Sequence, residues 1–143
     1  MVGAVIVKDG RIIGEGWHQG PGLPHAEIEA LKNCRIDPGG ATMYVTLEPC
    51  NHYGRTPPCS EAIIKAGIAT VKYAIPDPNP VGGGGAERLR EAGIKTEAGV
   101  GKTAALELNR RFLHFCLTGR PWVIMKAAMS LDGKIAAAGG ESK

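Results

Sequence analysis

Little in this sequence favours a large polymeric partner or a membrane. Aromatic residues make up only 5% of the chain, too few to stack a run of nucleic-acid bases. No apolar run approaches the roughly 20 residues needed to span a bilayer. Lys and Arg number 17 against 14 Asp and Glu, a net charge of only +3. That surplus suits a small anionic ligand and falls short of a basic nucleic-acid-binding surface. The apolar start has no charged stretch ahead of it, so it does not read as a secretory signal, and the expected setting is the cytoplasm. With 43% hydrophobic and 22% charged residues, the composition is that of a folded domain rather than a disordered segment. A length of 143 residues allows one domain with its own core, and leaves a homo-oligomer open. Four cysteines in a chain without an export signal point to metal binding before disulfides.

What is present is an alternation of strand and helix patterns. Residues 2–7 and 11–16 are short apolar runs joined at Lys8-Asp9-Gly10, and Asp-Gly between such runs is a hairpin signal. Helical spacing follows over His25–Cys34, then a strand over Thr42–Leu47, a helix over Cys59–Ala66 closed by Gly67, and a strand over Ala69–Ile75. A short helix over Ala86–Ala92, a strand over Ile94–Ala98 and a long helix over Lys102–Leu117 complete the alternation. Such an order predicts an α/β layered sheet. Pro121–Lys126 also reads as a strand. It follows the long helix and trails into small residues, as the opening of a second unit would. Gly82–Gly85 precedes a helix but lacks the Gly-Lys-Ser/Thr ending of a phosphate cradle, and reads as a flexible connection.

The chemistry concentrates in two loops and the helix starts that follow them. His25-Ala26-Glu27 opens one helix, Pro49-Cys50 follows a strand, and Cys59 opens another helix. One imidazole and two thiolates make a three-ligand zinc site with an open fourth position, where water can be activated. Helix starts favour thiolate charge at Cys59 and Cys50. Glu27, two residues beyond the ligand His25, can lean toward the open position without binding the metal, where a general acid–base belongs. Cys34 and Cys116 sit at apolar helical positions and read as core residues. Cys50 and Cys59 lie beside prolines in a polar, Gly-containing loop, where a core residue has no reason to be.

His25-x-Glu27 with Pro49-Cys50 and Cys59 resembles the zinc deaminase signature H-x-E with P-C-x-x-C, with eight residues rather than two between the cysteines. That longer loop, Glu48-Pro49-Cys50-Asn51-His52-Tyr53-Gly54-Arg55-Thr56-Pro57-Pro58-Cys59, resembles the loop of the riboflavin-biosynthesis pyrimidine deaminases, within the cytidine-deaminase-like superfamily. Met1–Val7, Asp77-Pro78-Asn79-Pro80 and Asn109–Phe112 match as well. The resemblance implies a three-layer α/β/α cytidine-deaminase-like fold with a mixed, mainly five-stranded central sheet. It implies hydrolysis of the 2-amino group of 2,5-diamino-6-ribosylamino-4(3H)-pyrimidinone 5′-phosphate, with release of ammonia. Zn²⁺ would be held by His25, Cys50 and Cys59, with Glu27 as the catalytic proton carrier. His18, His52, Arg55 and Thr56 would face the phosphorylated pyrimidine substrate.

Arg120-Pro121 followed by Lys126, Ala128, Ser130, Asp132 and Gly133 resembles the start of the family's fused reductase. The resemblance thus divides the chain into a deaminase unit over residues 1–119 and a reductase opening over 120–143. NADPH belongs to the reductase, and Lys126 with Ser130–Gly133 is at most a remnant of its site, so no complete cofactor site is expected here. A helix before the first strand, and an Asn-Pro pair just ahead of Met1, are family features expected upstream of this chain. Two other functions compete. A deaminase of free cytosine, cytidine or tRNA adenosine would carry the short loop. A non-catalytic zinc-stapled binding module would need a fourth protein ligand, for which His52 is the nearby candidate.

Overall fold

A computed structural model describes residues 1–54, 56–79 and 81–140. Strands β1 (Gly3–Lys8) and β2 (Arg11–Trp17) form the expected hairpin. Its two turn residues, Asp9 and Gly10, have φ of 50° and 73°. Positive φ at both positions gives a turn whose twist matches that of the strands it joins. Helix α1 (Ala26–Lys32) follows, then β3 (Thr42–Leu47), α2 (Cys59–Lys65), β4 (Thr70–Ile75), α3 (Gly85–Glu91), β5 (Lys95–Ala98) and α4 (Lys102–Thr118).

The sheet order is β2-β1-β3-β4-β5. Strand β1 runs antiparallel to both β2 and β3, whereas β3, β4 and β5 are parallel. The fold is therefore a mixed five-stranded sheet with helices on both faces, as the resemblance implies. One face carries Ala4, Ile6, Met43, Val45 and Val71, which pack with Ala26 and Ala30 of α1, Ile63 of α2 and Leu89 of α3. This is the main core. On the other face Ala74 meets Ala105 and Leu113 of α4 in a smaller cluster. Both parallel connections pass through helices on the core face, which leaves the C-terminal ends of β3 and β4 and the start of α2 at one edge.

Two glycines set the depth of α1. Gly14 and Gly16 lie on the buried face of β2. A Cβ at Gly16 would overlap the backbone of Ala26 and Ala30, and one at Gly14 would overlap the Ala30 carbonyl oxygen. The helix rests on the strand backbone with no side chain between them.

Two sequence expectations need correction. Pro121–Lys126 is not a strand: residues 121–130 have neither helical nor ladder hydrogen bonds, and most of their side chains are exposed. A β-branched run becomes a strand only where a neighbour accepts its ladder bonds, and no described strand does so here. Gly82–Gly85, expected to be a flexible connection, is tied down at its ends, with Gly82 and Gly85 buried and Gly84 exposed. The backbone N–H groups of Gly82 and Gly83 both donate to the Asn79 carbonyl at 2.9 and 3.1 Å, and Gly85 lies against Pro49. Cys34 packs at the edge of the core and Cys116 is half-buried.

Candidate metal centre and cavity

His25 is the last residue before α1, with extended backbone (φ −71°, ψ 162°), and its side chain makes no capping bond. The ring is free to face the sulfurs instead. Its Nδ1 lies 3.3 Å from Cys59 Sγ and 3.5 Å from Cys50 Sγ. Among the described residues these three form the cluster able to hold a metal, with ligand atoms within 4.8 Å of one another. At ordinary Zn–N and Zn–S lengths, a nitrogen and a sulfur on one tetrahedral zinc are about 3.6 Å apart. The donor types and spacing therefore fit zinc, and zinc is the cofactor this set is built to hold. Neither Glu27 nor His52 belongs to the cluster, so the fourth position has no protein ligand among the described residues.

The charges on these groups are strongly linked. The hydrogen bond from Cys59, together with that from His25, holds the Cys50 thiol down to about 4, while bonding to Cys50 and burial push Cys59 up. The bond to Cys50 raises His25. The backbone N–H of Cys59, at the start of α2, donates to the Cys50 sulfur at 3.4 Å, which favours negative charge there. Sequence placed helix-start stabilisation at both cysteines; the amide goes to Cys50. Metal binding would release the thiol protons of this pair.

Glu27 is 3% exposed, an unusual position for a carboxylate. Burial is the largest cause that pushes its carboxyl up to about 7, and the Cys50 sulfur adds to it. A carboxyl balanced near neutrality can both take and give a proton. It lines a cavity of about 340 Å³ together with His25 and Cys50. The metal cluster therefore opens onto a space of ligand size.

The other sequence-predicted residues fall around that space. His18 and His52 line both this cavity and an adjoining one of about 260 Å³, and Thr56 lines the second. His18 Nδ1 donates to the Pro24 carbonyl oxygen at 3.0 Å, which leaves Nε2 as the acceptor in the neutral ring. His52 Nδ1 is buried without a partner. Arg55 lies outside the described residues. Glu48, Asp77, Asn79 and Asn109 also line the first cavity, and sequence reasoning assigned them no role. Asn109 had a usable signal. It is a polar residue on the buried face of α4, 3% exposed, whose Nδ2 donates to the Ala105 carbonyl at 3.2 Å.

Residues 1–75 match the model of the cytidine and deoxycytidylate deaminase zinc-binding region, and those residues contain the whole His25/Cys50/Cys59 cluster. The chain belongs to the cytidine and deoxycytidylate deaminase zinc-binding family. Within that family it is 51% identical over 143 residues to the riboflavin biosynthesis protein RibD of Aquifex aeolicus, covering 99% of this chain and 40% of that protein. It is 52% identical to RibD of Escherichia coli over 99% of this chain and 39% of that protein. A crystal structure of a diaminohydroxyphosphoribosylaminopyrimidine deaminase/5-amino-6-(5-phosphoribosylamino)uracil reductase from Thermotoga maritima superposes with a TM-score of 0.92 at 50% identity, over 99% of this chain and 42% of that one. The deaminase-family chain thus spans about two fifths of the length of these relatives. Among its described residues no helix is long and apolar enough to cross a membrane.

Proposed function

We propose that this chain performs the zinc-dependent hydrolytic deamination of the diaminopyrimidinone ribosyl phosphate in riboflavin biosynthesis. The observation that carries the proposal is the meeting of three features: a His/Cys/Cys cluster lacking a fourth protein ligand, a buried carboxylate beside it, and a ligand-sized cavity lined by both. Zinc, when bound, would activate water and stabilise the oxygen that develops on the ring. The chain's own residues do the rest. His25, Cys50 and Cys59 hold the metal. Glu27 takes one proton of the attacking water and passes it to the ring nitrogen beside the carbon under attack; it then takes the second proton from the hydroxyl now on that carbon and delivers it to the amine, which leaves as ammonia. Burial keeps that carboxylate dry and close to the pKa such shuttling needs. His18 Nε2 is an acceptor suited to a substrate N–H or O–H. His52, Arg55 and Thr56 belong to the long loop that would read the ribosyl phosphate.

A non-catalytic zinc-stapled module is disfavoured by His52 standing outside the cluster. The same proposal assigns residues 1–119 to the deaminase unit and 120–143 to the opening of a reductase unit. The end of α4 at Thr118, followed by Gly119 at φ 66°, supports a boundary there.

Ammonia release from the pyrimidinone phosphate, measured beside cytidine and beside the dephosphorylated pyrimidinone, is the test. Good turnover of the phosphate, poor turnover of the dephosphorylated compound and none of cytidine are expected, and turnover of cytidine alone would overturn the substrate assignment. Arg55→Ala should lower kcat/KM for the phosphate about ten- to a hundredfold, the range of a charge-assisted contact of roughly 1.5–3 kcal/mol. It should scarcely alter the dephosphorylated compound. Equal harm to both substrates would make Arg55 a loop-holding residue.

A further inference from the structure

The stretch that presents Cys50 is held from several sides, and one side chain outside the ligand set connects the elements that hold it. Glu48 follows β3 directly, and its backbone N–H donates to the Ile75 carbonyl at 2.9 Å, extending the pairing with β4. Its carboxylate accepts two backbone N–H groups from different elements. Oε1 takes that of Ala86, in the first turn of α3, at 3.0 Å, and Oε2 takes that of Asp77, in the loop after β4, at 3.3 Å. Pro49 is fully buried. A Cβ at Gly85 would overlap the Pro49 carbonyl group, so α3 abuts this backbone only because residue 85 is glycine.

The next two residues are tied to other elements. The Cys50 carbonyl accepts from Ser60 N–H in α2 at 3.2 Å, and Asn51 N–H donates to the Gly82 carbonyl at 3.3 Å. Ser60 Oγ donates to Asn51 Oδ1 at 2.8 Å. Four consecutive residues, Glu48 to Asn51, are thus fixed to β4, α2, α3 and the loop between β4 and α3.

We propose that Glu48 is a positioning residue for the metal centre: by clamping the Ala86 and Asp77 N–H groups it seats α3 and its Gly85 against Pro49, and so sets the direction of the Cys50 thiolate. The proposal rests on the zinc reading of the cluster. A carboxylate suits the task because it offers an acceptor to each N–H. An amide offers one oxygen and one NH₂, so one backbone donor would face another donor. Groups that orient metal ligands contribute to affinity although they never touch the metal. Glu48 also borders the cavity, so a substrate contact is the rival role. Metal affinity measured without substrate separates the two.

Zinc dissociation constants, from competition with a chromogenic chelator, and the visible spectrum of the Co²⁺-loaded chain provide the test. Glu48→Gln should weaken zinc about 10- to 100-fold and shift the thiolate–Co²⁺ bands. Gly85→Ala should move both readouts in the same direction, because Pro49 must back away. Ile13→Ala, a core truncation in β2, should lower the melting temperature and leave both readouts at parental values. Should Glu48→Gln fail to fold, Glu48→Asp keeps both acceptors on a shorter stem and should show a smaller shift of the same sign. Parental affinity and spectrum in the Glu48 variant, or equal weakening by Ile13→Ala, would overturn the proposal. A parent chain that binds neither metal would instead overturn the zinc reading on which it stands.

Discussion

Helix α1 and helix α4 meet opposite faces of the same sheet in opposite ways. Under α1 the contact is backbone on backbone: Gly14 and Gly16 leave no room for a Cβ, and Ala26 and Ala30 are fully buried. Under α4 the contact is made by a few side chains. Ala105 and Asn109 are the buried residues of its 17, while Leu106, Leu108, Phe115 and Leu117 are each at least 40% exposed. The difference matches what each helix carries. His25 and Glu27 stand at the start of α1, where an error of an ångström would misplace a ligand or a proton carrier. A helix seated directly on a strand has little freedom to slide, whereas one seated through side chains can repack. The tight face bears the chemistry.

The largest expected effect separates chemistry from packing on that face. Glu27→Gln is nearly isosteric and leaves the metal ligands untouched, yet the amide cannot carry protons. Turnover should fall by at least the ~10²–10⁴-fold typical of general acid–base catalysis, with zinc content unchanged. Activity within a few-fold of the parent would assign the proton transfers to another group.

Gly16→Ala should come next, because it attacks the close approach itself. The added methyl overlaps the Ala26 and Ala30 backbone, neither of which can move without lifting α1. Overpacking of this kind costs about 1–3 kcal/mol. The melting temperature should fall by several degrees, and zinc affinity should fall with it, since His25 rides on the displaced helix. Calorimetry and metal titration of one preparation check both. A stability loss with parental zinc affinity would mean that His25 is held from its own loop rather than by α1.

Much of this contrast could be read from residues, and the unreadable parts share a cause. The Asp9-Gly10 turn and the strand–helix alternation are local patterns, and the His25/Cys50/Cys59 set, although its members are 9 to 34 positions apart, is marked by its residue types and their neighbours; the structure has each of them where the pattern stands. Gly14 and Gly16 look like weak points in a strand until α1 is laid across them. Gly82–Gly85 looks like slack until Gly85 meets Pro49. Glu48 looks like an ordinary acidic residue beside a proline, because its two partners are 29 and 38 positions away in the chain. The placement of β1 between β2 and β3 is likewise a long-range fact. Pro121–Lys126 failed in the opposite sense: its local pattern is strand-like, but no described strand pairs with it.

The smallest effect sharpens the comparison from the other face. Leu117 lies in the last turn of α4 and is 73% exposed. Truncation to alanine removes side chain that is mostly in water already, and alanine is the better helix former by a few tenths of a kcal/mol. Leu117→Ala should therefore change stability by no more than about 0.5 kcal/mol, with deaminase activity and zinc content unchanged. Its melting temperature should match the parent's at every protein concentration. Should the parent's melting temperature rise with concentration and the variant's not, Leu117 would be buried against a second copy of the chain. The outer side of α4 would then be a packed face in its own right, and its looseness a property of the isolated chain alone.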